Sequence, residues 1–277
     1  MHPTPDTPQL HDSVLDLAGA ALRRTQQIID ALSAADDKLL DAPSDLPDWS
    51  RLNIICHLRY GAVALARLTS AALAGVETAY YPGRRDRQRE ATLRLEPGED
   101  AMQAVLSLAH ESARLHELWS TVPNAAWQLG LPEPADNQHF GTLRLGHLPI
   151  LRLTEIEVHS VDLGLGLDDW GELFVRAALP FRLQWINTRR SNHKQFDDRV
   201  TGSWLLRATD GPAYLVTANG SEAHAFPSER SVPATATIEA SSRDLLAFLI
   251  GRPCHHGPLF SGDVAFAKAF TRAFPVP

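Results

Sequence analysis

Glu155 and His159 stand four residues apart in the run Arg152-Leu153-Thr154-Glu155-Ile156-Glu157-Val158-His159-Ser160-Val161-Asp162. On a helix this spacing sets Glu155, His159 and Asp162 on one face, with Arg152 at its edge. An acid and an imidazole one turn apart can grip a single metal ion. A third candidate ligand is His57, set among Ile54, Ile55, Leu58 and Ala64, where another apolar residue would be expected. If the two segments face each other in one bundle, His57, Glu155 and His159 form a His₂Glu set with positions open for water or substrate, a composition common in catalytic zinc sites. The same residues also have plainer uses. A Glu and a His four apart serve as a surface ion pair or a helix contact, and a lone helical histidine serves as a core or boundary side chain. Spacing alone leaves both readings open.

The elements that would position these residues follow from periodicity. Val14, Ala18, Ala21, Leu22, Thr25, Ile28, Ile29 and Leu32 recur at intervals of three and four and predict a helix over about 15–32. The breaker-rich stretch from Asp41 to Asp48 predicts a loop, after which Ser50 can cap a second helix through Cys56, Tyr60, Ala64 and Leu68. A third helix is expected from Glu99 to Ser120, with Met102, Val105, Leu106, Ala109, Leu115 and Leu118 on its apolar side. Pro123 to Gly141 reads as a loop pinned by Trp127, and a fourth helix as Leu148 to Leu165. Four amphipathic helices with connections this long imply a four-helix bundle.

Past a further helix at Leu173 to Thr188 the pattern changes. Trp204 to Ala208 and Ala213 to Thr217 flank Asp210-Gly211 as a hairpin, and Ala234 to Ala240 reads as a strand. Helices are expected at Ser242 to Ile250 and Asp263 to Phe274. The fold class is therefore α+β, with a helical bundle over 1–190 and a small α+β domain over 200–277, divided at the polar, aperiodic stretch near 190–200.

Composition narrows the function classes. The 277 residues are 44% hydrophobic and 21% charged, with Lys+Arg 26 against Asp+Glu 33 and a net charge of −7. A chain this long buries a full core without structural metals or disulfides, so a metal site would serve chemistry. The acidic balance speaks against nucleic acid as partner, and the basic run Arg84-Arg85-Asp86-Arg87-Gln88-Arg89 is too short to overturn it. No apolar run approaches the ~18 residues of a membrane span, and the first twenty residues do not read as a secretory leader. The two cysteines, Cys56 and Cys254, form no framework, which fits a reducing cytoplasm. Cys56 reads as packing, and His255-His256 beside Cys254 as surface loop. Serine-nucleophile elbows, Walker loops and dinucleotide fingerprints are absent from the sequence.

Three stretches together carry a family resemblance: Asp48-Trp49-Ser50-Arg51 with His57-Leu58, then Tyr81-Pro82-Gly83 with Arg84 and Arg87, then Arg152 to Gly164. They resemble the maleylpyruvate isomerase family of mycothiol-dependent enzymes, within the wider DinB-like metal-binding bundles. Ala236 to Ala240, Gly251-Arg252 and Gly262-Asp263 are similar to that family's small C-terminal domain, which itself resembles sterol carrier protein. The resemblance implies a divalent metal, usually zinc, held by His57, Glu155 and His159, with mycothiol as thiol cofactor or co-substrate and no protein nucleophile. Coordination stabilises the thiolate at neutral pH. The implied reaction is cis–trans isomerisation of maleylpyruvate, by thiolate addition, bond rotation and elimination. A dianionic substrate calls for cations, and Arg252, Arg84 and Arg87 are the candidates because guanidinium binds carboxylate bidentately. Asp162 is expected to orient a ligating imidazole and Arg152 to pair with Glu155 or Asp162. The runner-up is a mycothiol S-transferase acting on another electrophile, and a third reading is a metal-free lipid or small-ligand binder. Residues 132–140 and 188–200 depart from the family pattern and bear on substrate identity. The sequence sets no oligomeric state.

Overall fold

The computed structural model describes residues 7–33, 38–189, 200–220 and 222–274. They form two compact units, Met1–Phe174 and Val175–Pro277. The first holds α1 (Thr7–Ser33), the short α2 (Lys38–Asp41), α3 (Arg51–Ala74), the one-turn α4 (Arg85–Gln88), α5 (Ala101–Ser120) and α6 (Leu148–Asp162). The four long helices make the bundle: α1 packs on α5 and α6, and α3 packs on the same two.

Local chemistry sets where these helices begin. Ser50 caps α3 in a reciprocal box, its hydroxyl accepting from Asn53 N while the Asn53 side chain accepts from Ser50 N. Asp100 and Gln103 do the same for α5. Such boxes satisfy two otherwise orphaned donors and fix the helix register. At the far end of α6, Arg51 Nε donates to Leu163 O at 2.7 Å, tying the start of α3 to the end of α6.

The buried face of α5 differs from the expected one. Ala104, Val105, Leu108, Ser112, Leu115 and Trp119 are buried, whereas Leu106 is 60% exposed. The stripe turns toward α3 and α6, where Trp119 and Ser112 have their partners. The Trp119 indole donates to Thr69 Oγ1 at 3.0 Å, and Ser112 accepts from a guanidinium that reaches α3. Trp127 is buried in a 3₁₀ turn over Asn124–Gln128, as the loop reading expected. Glu133 then latches the loop: its carboxylate accepts from the backbone N–H groups of Tyr80, His139 and Phe140.

The division between the units falls inside α7 (Glu172–Arg189), ahead of the polar stretch where the sequence placed it; most of that stretch lies outside the described residues. The second unit carries a five-stranded sheet of β1 (Thr201–Ala208), β2 (Ala213–Asn219), β3 (Glu222–Ser228), β4 (Ala236–Ala240) and β5 (Leu259–Gly262), in the order β3-β2-β1-β4-β5. The β1–β4 pair is parallel and its neighbours are antiparallel. The expected hairpin β1–β2 and strand β4 therefore share one sheet, which gains an unforeseen edge strand at each end, β3 on β2 and β5 on β4. α8 (Ser242–Ile250) links β4 to β5. The continuous last helix expected over 263–274 is instead α9 (Val264–Lys268) and α10 (Phe270–Ala273), interrupted at Ala269. That break lets Phe266, Phe270 and Phe274 all meet the buried Trp204, whose indole stacks on Phe266 at 4.1 Å. Among the described residues no helix is long and apolar enough to cross a membrane.

Candidate metal centre

The Ser50 cap sets the register of α3, and two turns later His57 projects toward α6. From α6, Glu155 and His159 project on one side, one turn apart. The structure brings all three together: one ligand atom from each lies within 4.8 Å of the others. His57 Nε2 is 2.8 Å from Glu155 Oε2, and His159 Nε2 is 3.5 Å from the same oxygen. The two imidazole rings meet edge to face at 5.1 Å. Their side chains are 15% and 10% exposed, while Glu155 keeps 49%. The carboxylate thus offers the route by which solvent or a ligand reaches the cluster.

Electrostatics sharpen the site. Packing opposes ionisation of Glu155, but hydrogen bonds from His159 and His57 overcome it and hold the carboxylate well below its usual range. Burial pulls the His57 pKa down, against the pull of Glu155. Burial acts on His159 the same way, yet Asp162 and Glu155 reverse it and leave its pKa raised. Asp162 Oδ2 lies 2.8 Å from His159 Nδ1, which fixes the ring and turns Nε2 toward Glu155. His57 lacks an equivalent: its buried Nδ1 has no hydrogen-bond partner among the described residues.

Two imidazole nitrogens and a carboxylate directed at one point suit a divalent cation of borderline softness. Three protein donors leave further positions open. Trp49, adjacent to the α3 cap, encloses the group. It stands edge-on to His57 at 5.4 Å and stacks on His159 at 6.1 Å with an interplanar angle of 11°.

The other candidates have the following surroundings. Arg152 pairs with neither Glu155 nor Asp162. It is buried, donating to Leu58 O at 2.7 Å and to Ser112 Oγ at 3.0 Å, and burial brings its pKa down to about 10. Its Nη1 would stand 3.2 Å from a Cβ on Gly61, so that glycine leaves room for the guanidinium. Arg152 therefore braces α3 to α5 and α6 right beside His57. Arg84 pairs at the surface with Asp136 at 3.4 Å, and Arg87 is exposed. Arg252 lies in the second unit, past the Gly251 cap of α8, with its backbone N–H on Ala247 O.

Two residues near the cluster escaped the sequence argument. Arg89 holds its guanidinium carbon 5.5 Å from the Trp49 ring centroid, and its charge contributes to lowering the His57 pKa. It sits in the basic run already noted, two residues beyond Arg87, and two residues on a helical turn point to different sides. Trp49 was visible only as part of a motif, with nothing local to mark it as a lid on two histidines.

The family model for the mycothiol maleylpyruvate isomerase N-terminal domain matches residues 21–164, a span that contains the whole cluster. Among solved structures, a crystal structure of the mycothiol-dependent maleylpyruvate isomerase is similar with a TM-score of 0.64 at 21% identity, covering 91% of this chain and 92% of that one. A histidine-to-alanine mutant of that enzyme gives 0.63 at 20% identity, with the same coverage. Identities this low establish a shared fold. No curated protein matches the chain.

Proposed function

The chain belongs to the family of the mycothiol maleylpyruvate isomerase N-terminal domain, and from that premise we propose a metal-dependent, thiol-using enzyme whose reaction is cis–trans isomerisation of a maleylpyruvate-type diacid. The observation that carries this reading is the convergence of His57, Glu155 and His159 within 4.8 Å beside a solvent-facing carboxylate edge. In the reaction the thiol sulfur adds to the conjugated double bond, the resulting single bond rotates, and elimination returns the trans isomer with the thiol regenerated. No electrons are gained or lost overall.

Zinc bound by the three side chains would stabilise the thiolate form of the incoming thiol at neutral pH. Asp162 holds His159 in the tautomer that leaves Nε2 free to bind. Trp49 packs on both imidazoles and restricts their rotation, so the ligand set is preorganised. Arg89 supplies fixed positive charge next to the cluster, suited to one carboxylate of a dianionic substrate. Cys56, though adjacent to His57 in sequence, takes no part: it is fully buried and burial pushes its thiol up to about 11. The nucleophile is the added thiol.

Elemental analysis of the purified protein tests the centre. About one divalent ion per chain is expected, lost in both His57→Ala and Glu155→Ala. Turnover of maleylpyruvate with mycothiol then tests the reaction, and transfer of mycothiol to other electrophiles without isomerisation would point to the S-transferase. A protein that stays metal-free after reconstitution with zinc refutes the mechanism.

A further inference from the structure

One helical turn beyond His57 on α3 comes Gly61, and about one turn before Glu155 on α6 comes Arg152. Next to Gly61 stands the hydroxyl of Tyr80. A Cβ on Gly61 would lie 3.4 Å from Tyr80 Oη and 3.2 Å from Arg152 Nη1, so the glycine makes room for both groups. The phenol tip therefore reaches the α3–α6 seam about one turn, ~5.4 Å of helix rise, from the candidate ligands. Backbone and ring are both fixed. Tyr80 N donates to Glu133 Oε1 at 3.4 Å, and Tyr80 O accepts from Tyr60 Oη at 2.7 Å and Arg67 Nη2 at 2.9 Å. His139 stacks on the ring at 4.5 Å, and Tyr81 and Phe140 meet it edge to face at 4.8 and 5.3 Å.

Tyr80 is only 7% exposed, yet among the described residues its hydroxyl makes no hydrogen bond. A hydroxyl taken out of water without a partner is costly, and a ligand at the cluster can be that partner. Electrostatics set what the group can do. Burial, reinforced by the Glu155 carboxylate, raises the Tyr80 pKa well above the ordinary phenol value, so the proton stays on Oη at neutral pH. The group is a hydrogen-bond donor and not a base. The buried Arg152 guanidinium acts in the opposite sense and favours negative charge at this place. A donor of fixed position beside a buried cation suits an oxygen on which negative charge develops.

Resting on the isomerase reading above, we propose that Tyr80 is a catalytic residue whose hydroxyl donates a hydrogen bond to the ketone oxygen of the electrophile and stabilises the enolate formed during thiol addition. The sulfur electron pair forms the C–S bond, and the pair of the double bond moves through the conjugated system to that oxygen. Rotation follows about the former double bond. The oxygen pair then returns, the double bond re-forms in the trans geometry, and the C–S bond breaks to expel the thiol sulfur. Tyr80 keeps its proton throughout, so nothing is consumed.

Tyr80→Phe removes one oxygen and keeps the ring. In the metal-loaded full chain it should lower kcat for maleylpyruvate with mycothiol at least ~10-fold, with KM within about twofold of wild type and with metal content and melting temperature unchanged. The second readout needs no turnover. γ-Ketopimelate, a saturated keto diacid that cannot isomerise, is bound and its ketone stretch followed by infrared difference spectroscopy. Hydrogen bonding should move the band to lower frequency in the wild type, with the shift reduced in Tyr80→Phe. An unaltered kcat, a fall in kcat accompanied by loss of metal, or a band equally placed in both proteins overturns the assignment. An unshifted band in the wild type overturns it by itself, whether or not the variant folds. A wild type that shows the Tyr80-dependent shift but does not isomerise maleylpyruvate refutes the reaction and leaves the hydroxyl a ligand donor. One that isomerises with a Tyr80-independent band refutes only the role of Tyr80.

Discussion

Replacement of Asp162 measures how much the proposed metal centre depends on a group outside the His57–Glu155–His159 cluster. Its carboxylate lies 2.8 Å from His159 Nδ1, and both side chains are 10% exposed, so the contact is a charge-assisted hydrogen bond largely removed from water. Such bonds contribute about 1.5–3 kcal/mol, which corresponds to roughly a 10- to 100-fold effect on a binding constant. Asp162→Asn preserves size and keeps an oxygen able to accept from Nδ1–H, losing only charge, and should weaken zinc binding by about 10-fold. Asp162→Ala also releases the ring and should approach ~100-fold. Asp162 strengthens proton binding to His159, whose pKa it helps to raise against the effect of burial. Competition with a chromogenic chelator should therefore be run at about pH 8.5, two units above the ordinary imidazole pKa of ~6.5, to reduce the proton's share. Thermal unfolding of the metal-free variants separates folding defects from loss of affinity. Affinities within twofold of wild type for both variants, or a greater loss for Asn than for Ala, would refute the argument that Asp162 acts through the orientation and charge of His159.

Ser112→Ala removes one acceptor from the buried Arg152 guanidinium and should cost about 1–3 kcal/mol, read as a lowered urea midpoint at unchanged slope. An unchanged midpoint would show that Arg152 is not held there. Cys56, with its thiol near 11 and no exposed surface, has a thiolate fraction of only ~0.1% at pH 8, so iodoacetamide should label Cys254 in the native protein and Cys56 only after unfolding. Mass spectrometry of the labelled peptides decides this, and native labelling of Cys56 would contradict the packing. Gly262 has φ +75°, and a Cβ there would stand 2.7 Å from Thr235 O. Gly262→Ala should lower stability by more than about 1 kcal/mol, and an unaltered melting temperature would show that the β4–β5 edge yields at no cost.

The clustering of the candidate triad was partly legible because its geometry is mostly local. A spacing of four from Glu155 to His159 makes about one helical turn in any context, and Ser50 fixed the start of the helix that carries His57. Facing of the two helices was the one step the residues could only leave conditional. The arginines were not legible in this way. Arg84, Arg87 and Arg89 stand within six residues and share a charge, yet one pairs with Asp136, one is exposed and one lies over Trp49. Arg152 was expected beside the carboxylates of its own helix and instead meets Leu58 and Ser112 on two others.

Elements show the same contrast. Long helices and the hairpin announce themselves through periods of 3.6 and 2 and through caps, which depend on neighbours within a few residues. The edge strands β3 and β5 do not: β3 contains Pro227 and buries only Ala223, and β5 is four residues long. Both exist because β2 and β4 offer free hydrogen-bonding edges. On α5 the apolar pattern put Leu106 inward, but the partners of Ser112 and Trp119 on α3 and α6 turned the helix so that Leu106 faces solvent. The sequence by itself thus determined the four long helices of the bundle and the spacing of Glu155, His159 and Asp162, since backbone sterics and capping act over a turn or two. Tertiary structure alone decided that His57 meets them, that Trp49 covers them and that Arg89 lies over Trp49, because those contacts join residues distant in the chain, and packing, not spacing, selects among the alternatives.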